Sequence, residues 1–192
     1  VVSVNNCPCC SILMAWGNAQ QKKAWLEPLA RGEMLGAFCL TEPHVGSEAA
    51  GLKTTAVRVP PGGAKGAPAP PDGGEATRER PVVASNGVKQ FITSGKHGNV
   101  AIVMAVTDKA AGKKGISAFI VPTNAPGYTV ARLEDKMGQH SSDTAQIVFD
   151  NCRIPAANLI ADEGMGLKIA LSGLEGGRIG IAAQSVGMAR AA

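Results

Sequence analysis

Between residues 36 and 153 the chain is written in short β-rich runs: GAFCL, KTTAVRV, PVVAS, VKQFITS, VAIVMAVT, ISAFIVPT, YTVARL and AQIVFDNCRI. Turn residues separate them, and no helical pattern intervenes. Neighbouring parallel strands need crossovers of a dozen or more residues. This rhythm therefore argues against a dinucleotide-binding βαβ unit and predicts an antiparallel sheet, sandwich or barrel. Asn86-Gly87 falls between two of the runs, and because both residues tolerate positive φ the pair reads as a hairpin turn.

Helical text flanks this block. Asn18 followed by Gln21 resembles a capping box, and Ala24, Trp25 and Leu29 recur at helical spacing, which predicts a helix over 18–30 closed by Gly32. After Pro155 the pattern is helical again, with Leu167, Ala170, Leu171, Leu174 and Ile181 on one stripe. Its many glycines weaken an isolated helix and make sense where a neighbouring helix or a ligand comes close. The fold class is α+β. One segment, VPPGGAKGAPAPPDGGEATRERP at 59–81, is too rich in Pro, Gly and Ala to bury much surface and is expected to be a flexible surface loop.

Nineteen Lys and Arg against fifteen Asp and Glu give a net charge of +4. These charges are scattered, and with four Phe, two Trp and one Tyr there is no basic-aromatic surface for nucleic acid. No apolar run reaches the length of a membrane span. Five cysteines, three of them in CPCC, make a poor disulfide framework and point to a reducing compartment. A zinc site needs four ligands, and no Cys or His pair lies near CPCC, so these cysteines are expected to be small buried side chains. His44, His97 and His140 are dispersed in polar loops and read as solvated residues rather than catalysts. The opening VVSVNNCPCC has no charged n-region, and the closing GIAAQSVGMARAA stops inside a helical pattern, so the chain is expected to be cut at both ends.

Three stretches could carry chemistry. In GAFCLTEPHVGSEAAG, residues 36–51, a strand ends in hydroxyl and carboxyl groups and then keeps its backbone bare. Exposed N–H groups with Thr and Ser donors suit a polar ring edge or a phosphate, although the same text also fits an ordinary turn. In FITSG, residues 91–95, strand alternation sends Phe91 and Thr93 to one face and Ile92 to the other. A flat heteroaromatic ligand suits that pair, and so does a plain half-buried strand. In LEGGRIG, residues 174–180, Glu175 and Arg178 share a helical face, where they either pair with each other or offer Arg178 to an anionic group.

Taken together, these segments resemble the acyl-CoA dehydrogenase family. GAFCLTEPHVGSEAAGLKTTA is similar to the family's first signature, and NGVKQFITSG to the segment downstream of it. KGISAFIVPTNAPGY, EDKMGQHSSDTAQIVFDNCRIP and GRIGIAAQSVGMA follow in the family's order, so the resemblance spans nearly the whole chain outside 59–81. It implies the end of an N-terminal helical domain over 1–33, a middle β-domain over 34–154, and the start of a C-terminal helical domain over 155–192. It also implies FAD as cofactor, lined by Phe38, Cys39, Leu40, Thr41, Gly46, Ser47, Phe91, Ile92 and Thr93. The Thr41 hydroxyl would face the pyrimidine edge of the flavin, Phe91 would pack on the ring system, and Thr93 would bond its N5. Ser47, Glu175 and Arg178 match positions near acyl-CoA.

The implied reaction removes the α-proton of a short- or medium-chain acyl thioester with a carboxylate while the β-hydrogen leaves as hydride, giving a trans-2-enoyl-CoA. Implied partners are the acyl-CoA substrate, electron-transferring flavoprotein and further copies in a homotetramer. The implied compartment is a bacterial cytoplasm or a mitochondrial matrix. No catalytic residue is assigned: most members carry the base late in the C-terminal bundle, and the position used by a minority is Gly177 here. Glu48 stands where Asp is usual. An acyl-CoA oxidase and a non-catalytic flavin-fold fragment are the competing readings.

Overall fold

The computed structural model describes residues 2–59 and 82–192. Apart from Val59, the stretch expected as a surface loop lies outside the described residues. Eight strands form one sheet: β1 (Gly36–Cys39), β2 (Thr55–Val59), β3 (Val82–Thr93), β4 (Val100–Val106), β5 (Ile116–Pro122), β6 (Tyr128–Leu133), β7 (Thr144–Pro155) and β8 (Leu159–Ile160). Their order is β6-β7-β3-β2-β4-β5-β8, with β1 also paired to β4. Five pairings are antiparallel, as the connections predict. Two are parallel: β1 runs beside β4 from Gly36↔Val100 to Cys39↔Val103, and β2 meets β4 at Thr55↔Val106. Among the described residues the link between β1 and β4 contains the β2–β3 pair, and sequence rhythm alone gave no sign of it.

Strand β4 shows how the sheet is stabilised. Val100, Ile102 and Met104 face one apolar cluster, with Leu13, Leu29, Ile120 and Ile169; Ala101, Val103 and Ala105 face a second, with Phe119, Val121, Ile147 and Phe149. A strand buried on both sides reads as a continuous apolar run, which is what VAIVMAV is. The second cluster lies between the inner faces of β1, β4 and β5 and those of β3 and β7, so the sheet wraps on itself. The first lies between the sheet and the helical segments.

Asn86-Gly87 is not a hairpin turn. Strand β3 runs straight through it, with a register shift between Ser85, opposite Cys152, and Gly87, opposite Phe149. A Cβ on Gly87 would stand 2.4 Å from Thr54 Oγ1 and 2.7 Å from its Cα, so the glycine is there because a neighbouring backbone comes close. The extra residue at this shift is on β7, which takes three steps from Phe149 to Cys152 against two on β3.

The helix expected over 18–30 forms as turns over Ala19–Gln21, Lys22–Leu26 and Glu27–Ala30. Its capping box is complete: Gln21 N donates to Asn18 Oδ1 at 2.8 Å, and Asn18 N to Gln21 Oε1 at 3.1 Å. Gln21 also donates through Nε2 to the carbonyls of Ala157 and Leu159, at 2.9 and 2.8 Å, which ties the helix to the sheet. The last helix begins at Gly166 rather than at 155 and runs to Ala191, because Leu159–Ile160 first add a strand to β5. Its Gly173 and Gly176 lie against Pro8 and Cys7, where added Cβ atoms would come within 2.7 and 2.8 Å. These glycines thus serve close packing.

All five cysteines are free; Cys9, Cys39 and Cys152 are buried and Cys7 and Cys10 are half-buried. Burial pushes the Cys39 thiol up to about 12 and the Cys152 thiol up to about 11, so both stay protonated packing groups. No described helix is long and apolar enough to cross a membrane.

Candidate functional site

Strand β1 ends at Cys39, and the chain then turns sharply: Glu42 and Val45 exchange backbone hydrogen bonds of 3.0 Å in each direction. This tight turn leaves Gly46 and Ser47 exposed beyond it. A Cβ on Gly46 would meet nothing within 4 Å, so the backbone there is open to a ligand. Phe38 and Thr41 are half-buried, whereas Cys39 and Leu40 are buried in the two apolar clusters. Those two can offer only main-chain atoms to anything outside.

The second stretch is shaped by a bulge. Residues 83, 85, 87 and 89 of β3 take inward positions, and simple alternation would send Phe91 inward as well. A register shift between Lys89, opposite Ile147, and Ile92, opposite Ala145, inserts one residue instead. Phe91 adopts φ 58°, a conformation that bulky residues rarely hold, and its side chain is 62% exposed. Ile92 returns to the core at 2% exposure, and Thr93 is half-buried on the outer side. The expectation that Phe91 and Thr93 oppose Ile92 agrees with this burial pattern, but the bulge is what produces it. Bulges of this kind re-aim side chains beside active sites.

The turn after Thr93 is fixed from two directions. Tyr128 donates its hydroxyl to Gly95 O at 2.8 Å, and Lys96 N donates to Asp143 Oδ2 at 2.8 Å. Burial raises the Tyr128 phenol well above the ordinary tyrosine value, so it remains a donor. His97 and Asp143 add a contact of 3.2 Å at the surface.

A buried ion pair joins the two stretches. Lys89 is fully buried, and its ammonium donates to Glu42 Oε1 at 2.9 Å and to Leu40 O at 3.2 Å. Glu42, also buried, accepts from Lys53 N at 2.7 Å and Thr54 N at 2.9 Å. One residue on, Gln90 N donates to Thr41 O at 2.9 Å. Burial pushes the Glu42 carboxyl up, but the Lys89 charge and the surrounding donors outweigh it and hold the group below the usual carboxylate range. Burial in turn pulls Lys89 below an ordinary lysine, against the opposing pull of Glu42. Both residues lie within the motifs that carry the resemblance, but the motifs alone give neither a role. A lysine at an inward position of a strand was the available signal, because a buried ammonium must find a partner.

The structure thus brings residues 40–42 together with Lys89 and Gln90, which lead directly into 91–93. Glu175 and Arg178 are both exposed on the last helix, and among the described residues neither forms an ion pair or a side-chain hydrogen bond, so the pairing weighed from their spacing does not occur there. The three histidines are exposed; His44 stands at the rim, 3.6 Å from Glu42 Oε2.

Does such a surface suit a flat ring? Phe91 offers an exposed aromatic face. Thr41 N–H has no backbone acceptor among the described residues, and the Thr41 and Thr93 hydroxyls are half-buried nearby in sequence. A planar ligand with acceptors along its edge fits these donors and that face.

Comparison with known proteins gives matching results. Residues 70–152 match the family model described as acyl-CoA dehydrogenase, middle domain. A short-chain specific acyl-CoA dehydrogenase of Megasphaera elsdenii is 42% identical over 184 residues, covering 96% of this chain and 43% of that protein. Among solved structures, a chain from a study of the electron transferring flavoprotein of Acidaminococcus fermentans superposes with a TM-score of 0.83 at 40% identity, over 98% of this chain and 44% of that one. A glutaryl-CoA dehydrogenase of Mycobacterium smegmatis in complex with FADH2 gives 0.72 at 34% identity, over 90% and 38%. The chain spans less than half the length of the curated relatives it matches.

Proposed function

Because this chain belongs to the acyl-CoA dehydrogenase family, we propose that it forms the flavin-facing part of an enzyme that converts a short- or medium-chain acyl-CoA to the trans-2-enoyl-CoA. The observation that carries the proposal is the junction of residues 40–42 with 89–93. There an exposed Phe91 held at φ 58° and a Thr41 N–H without a backbone acceptor among the described residues stand on segments joined by a buried ion pair.

FAD bound at this surface would supply the hydride acceptor. Phe91 packs on the ring, the Thr41 N–H and hydroxyl bond its polar edge, and Thr93 bonds the edge nearer β3. Phe38 and the backbone of Cys39, Leu40 and Ile92 close the wall behind it. Gly46 and Ser47, open to solvent, meet phosphate or pantetheine groups. Glu175 and Arg178 contact acyl-CoA from the last helix, an assignment resting on the family resemblance alone. No base is assigned within the chain: Gly177 has no side chain for the task, and Glu42 is committed to Lys89.

The same reading extends to organisation and partners. Residues 1–33 close an N-terminal helical domain, 34–154 form the middle domain, and 155–192 open a C-terminal helical domain. Electron-transferring flavoprotein accepts the electrons, the working assembly is a homotetramer, and the compartment is a bacterial cytoplasm or a mitochondrial matrix. The test is the intact protein's absorbance. It is expected to purify yellow or to turn yellow with added FAD, and to bleach with butyryl-CoA in the absence of oxygen. A protein that stays colourless with excess FAD refutes the proposal. Rapid reoxidation in air with release of hydrogen peroxide moves it to the oxidases.

A further inference from the structure

The Lys89–Glu42 pair does more than its burial requires. A buried lysine needs a counter-ion, and Glu42 provides one at 2.9 Å. The ammonium also donates to a main-chain carbonyl, Leu40 O, at 3.2 Å. That carbonyl belongs to the peptide unit whose other end is the Thr41 N–H. Leu40 O thus receives a charge-assisted hydrogen bond, while the N–H of the same unit has no backbone acceptor among the described residues. Hydrogen bonds in series polarise one another, and a cation on the carbonyl end makes the N–H end a stronger donor. Glu42, Lys89, Leu40 O and Thr41 N–H are therefore one chain of polarised groups that begins in the buried core and ends at the candidate ring site.

The pair is also placed to hold this donor still. Glu42 accepts from Lys53 N and Thr54 N, which anchors the far end of the loop, and Gln90 N donates to Thr41 O, which anchors the near end. Two of these three hydrogen bonds end on Glu42 itself and the third on the Thr41 carbonyl. These contacts hold the Leu40–Thr41 peptide unit, and with it the Thr41 N–H, in one orientation.

Resting on the flavin reading given above, we propose that Lys89 is a positioning residue that strengthens and aims the Thr41 N–H toward the electron-rich edge of bound FAD. A stronger donor at that edge favours the form of the ring carrying more negative charge, so the ion pair raises the midpoint potential of the bound cofactor as well as its affinity. Lys89 itself does not touch the ligand.

The test uses the intact protein and two readouts other than turnover. The first is amide hydrogen exchange at Thr41 with and without saturating FAD; protection is expected to rise at least about tenfold when FAD binds. The second is a comparison of variants. The double variant Glu42→Gln/Lys89→Met keeps side-chain volume and removes both charges, so it avoids an unpaired buried ion. FAD binding is expected to weaken about tenfold and the potential to become more negative, while the urea midpoint stays near that of the unaltered protein. Lys89→Arg, which keeps the cation, is expected to return both values toward the original.

A Thr41 amide that exchanges equally fast with FAD bound overturns the proposal. So does a folded double variant with unchanged affinity and potential, which would reduce the pair to a fold-stabilising contact. Should the double variant not fold, the exchange measurement on the unaltered protein decides. If the unaltered protein binds no FAD at all, the flavin reading has failed, a result distinct from FAD binding with an unprotected Thr41.

Discussion

The pairing of β3 with β7 is interrupted twice, and the two interruptions do different things. Opposite Ser85–Gly87 the extra residue is on β7, and Gly87 lies against Thr54. At Lys89–Ile92 the extra residue is on β3 itself, and Phe91 turns out to 62% exposure while Lys89 stays buried against Glu42. The first leaves β3 itself regular, with Gly87 in close contact with Thr54. The second holds an aromatic residue at φ 58° and displays it to solvent, which costs stability and returns nothing to the fold. A backbone irregularity points to function when it exposes a side chain that the core would otherwise bury, and to packing when it does the reverse.

The sharpest way to break this contrast is at Lys89. Lys89→Ala leaves Glu42 buried without its cation and is expected to cost roughly 3–5 kcal/mol, read as a fall in the urea midpoint. Acid should attack the same pair. Glu42 is held below the usual carboxylate range, so its contribution is fully present above about pH 4.3 and is lost as the pH falls through the lower native value. Stability of the unaltered protein measured from about pH 6 to 3 should therefore drop more steeply than that of Glu42→Gln/Lys89→Met. Parallel curves would show that the pair does not carry the acid sensitivity.

At the first bulge, Gly87→Ala pushes a methyl group into Thr54, at 2.4 Å from Oγ1 and 2.7 Å from Cα. The expected loss is about 1–3 kcal/mol, as for other overpacked sites. FAD affinity of the folded fraction should be unaffected, since this bulge displays nothing to a ligand. A large loss of affinity in Gly87→Ala at unchanged stability would erase the distinction between the two interruptions.

How much of this was legible beforehand follows from the range over which each signal acts. The capping box at Asn18 and Gln21 is a contact between residues three apart, and its text predicts its geometry. The apolar run of β4 records burial on both faces in a single segment. The family resemblance implied that Thr41 and Phe91 serve one site although 50 positions separate them, and the structure bonds Gln90 N, next to Phe91, to Thr41 O. The hairpin assigned to Asn86-Gly87 failed because the dipeptide reports only a permissive backbone, and whether the chain reverses there depends on β7 pairing along the whole of β3. The β1–β4 pairing and the Lys89–Glu42 bond are also non-local, set by which strands meet. A charged residue in an inward register hints at such a bond without naming the partner.

The finest test of the contrast lies at the second bulge and carries an unusual sign. Phe91 pays for its left-handed backbone, a conformation costing roughly 1–2 kcal/mol for a residue with a Cβ. Glycine does not pay it. Because the ring is mostly exposed, Phe91→Gly removes little buried surface and is expected to leave the protein as stable or up to about 1 kcal/mol more stable, allowing for glycine's greater freedom when unfolded. FAD binding should weaken in the same variant as the aromatic face is lost. A gain in stability coupled to a loss of affinity is the signature of strain kept for a ligand. Equal losses in both would make Phe91 an ordinary packing residue and leave the second bulge no different from the first.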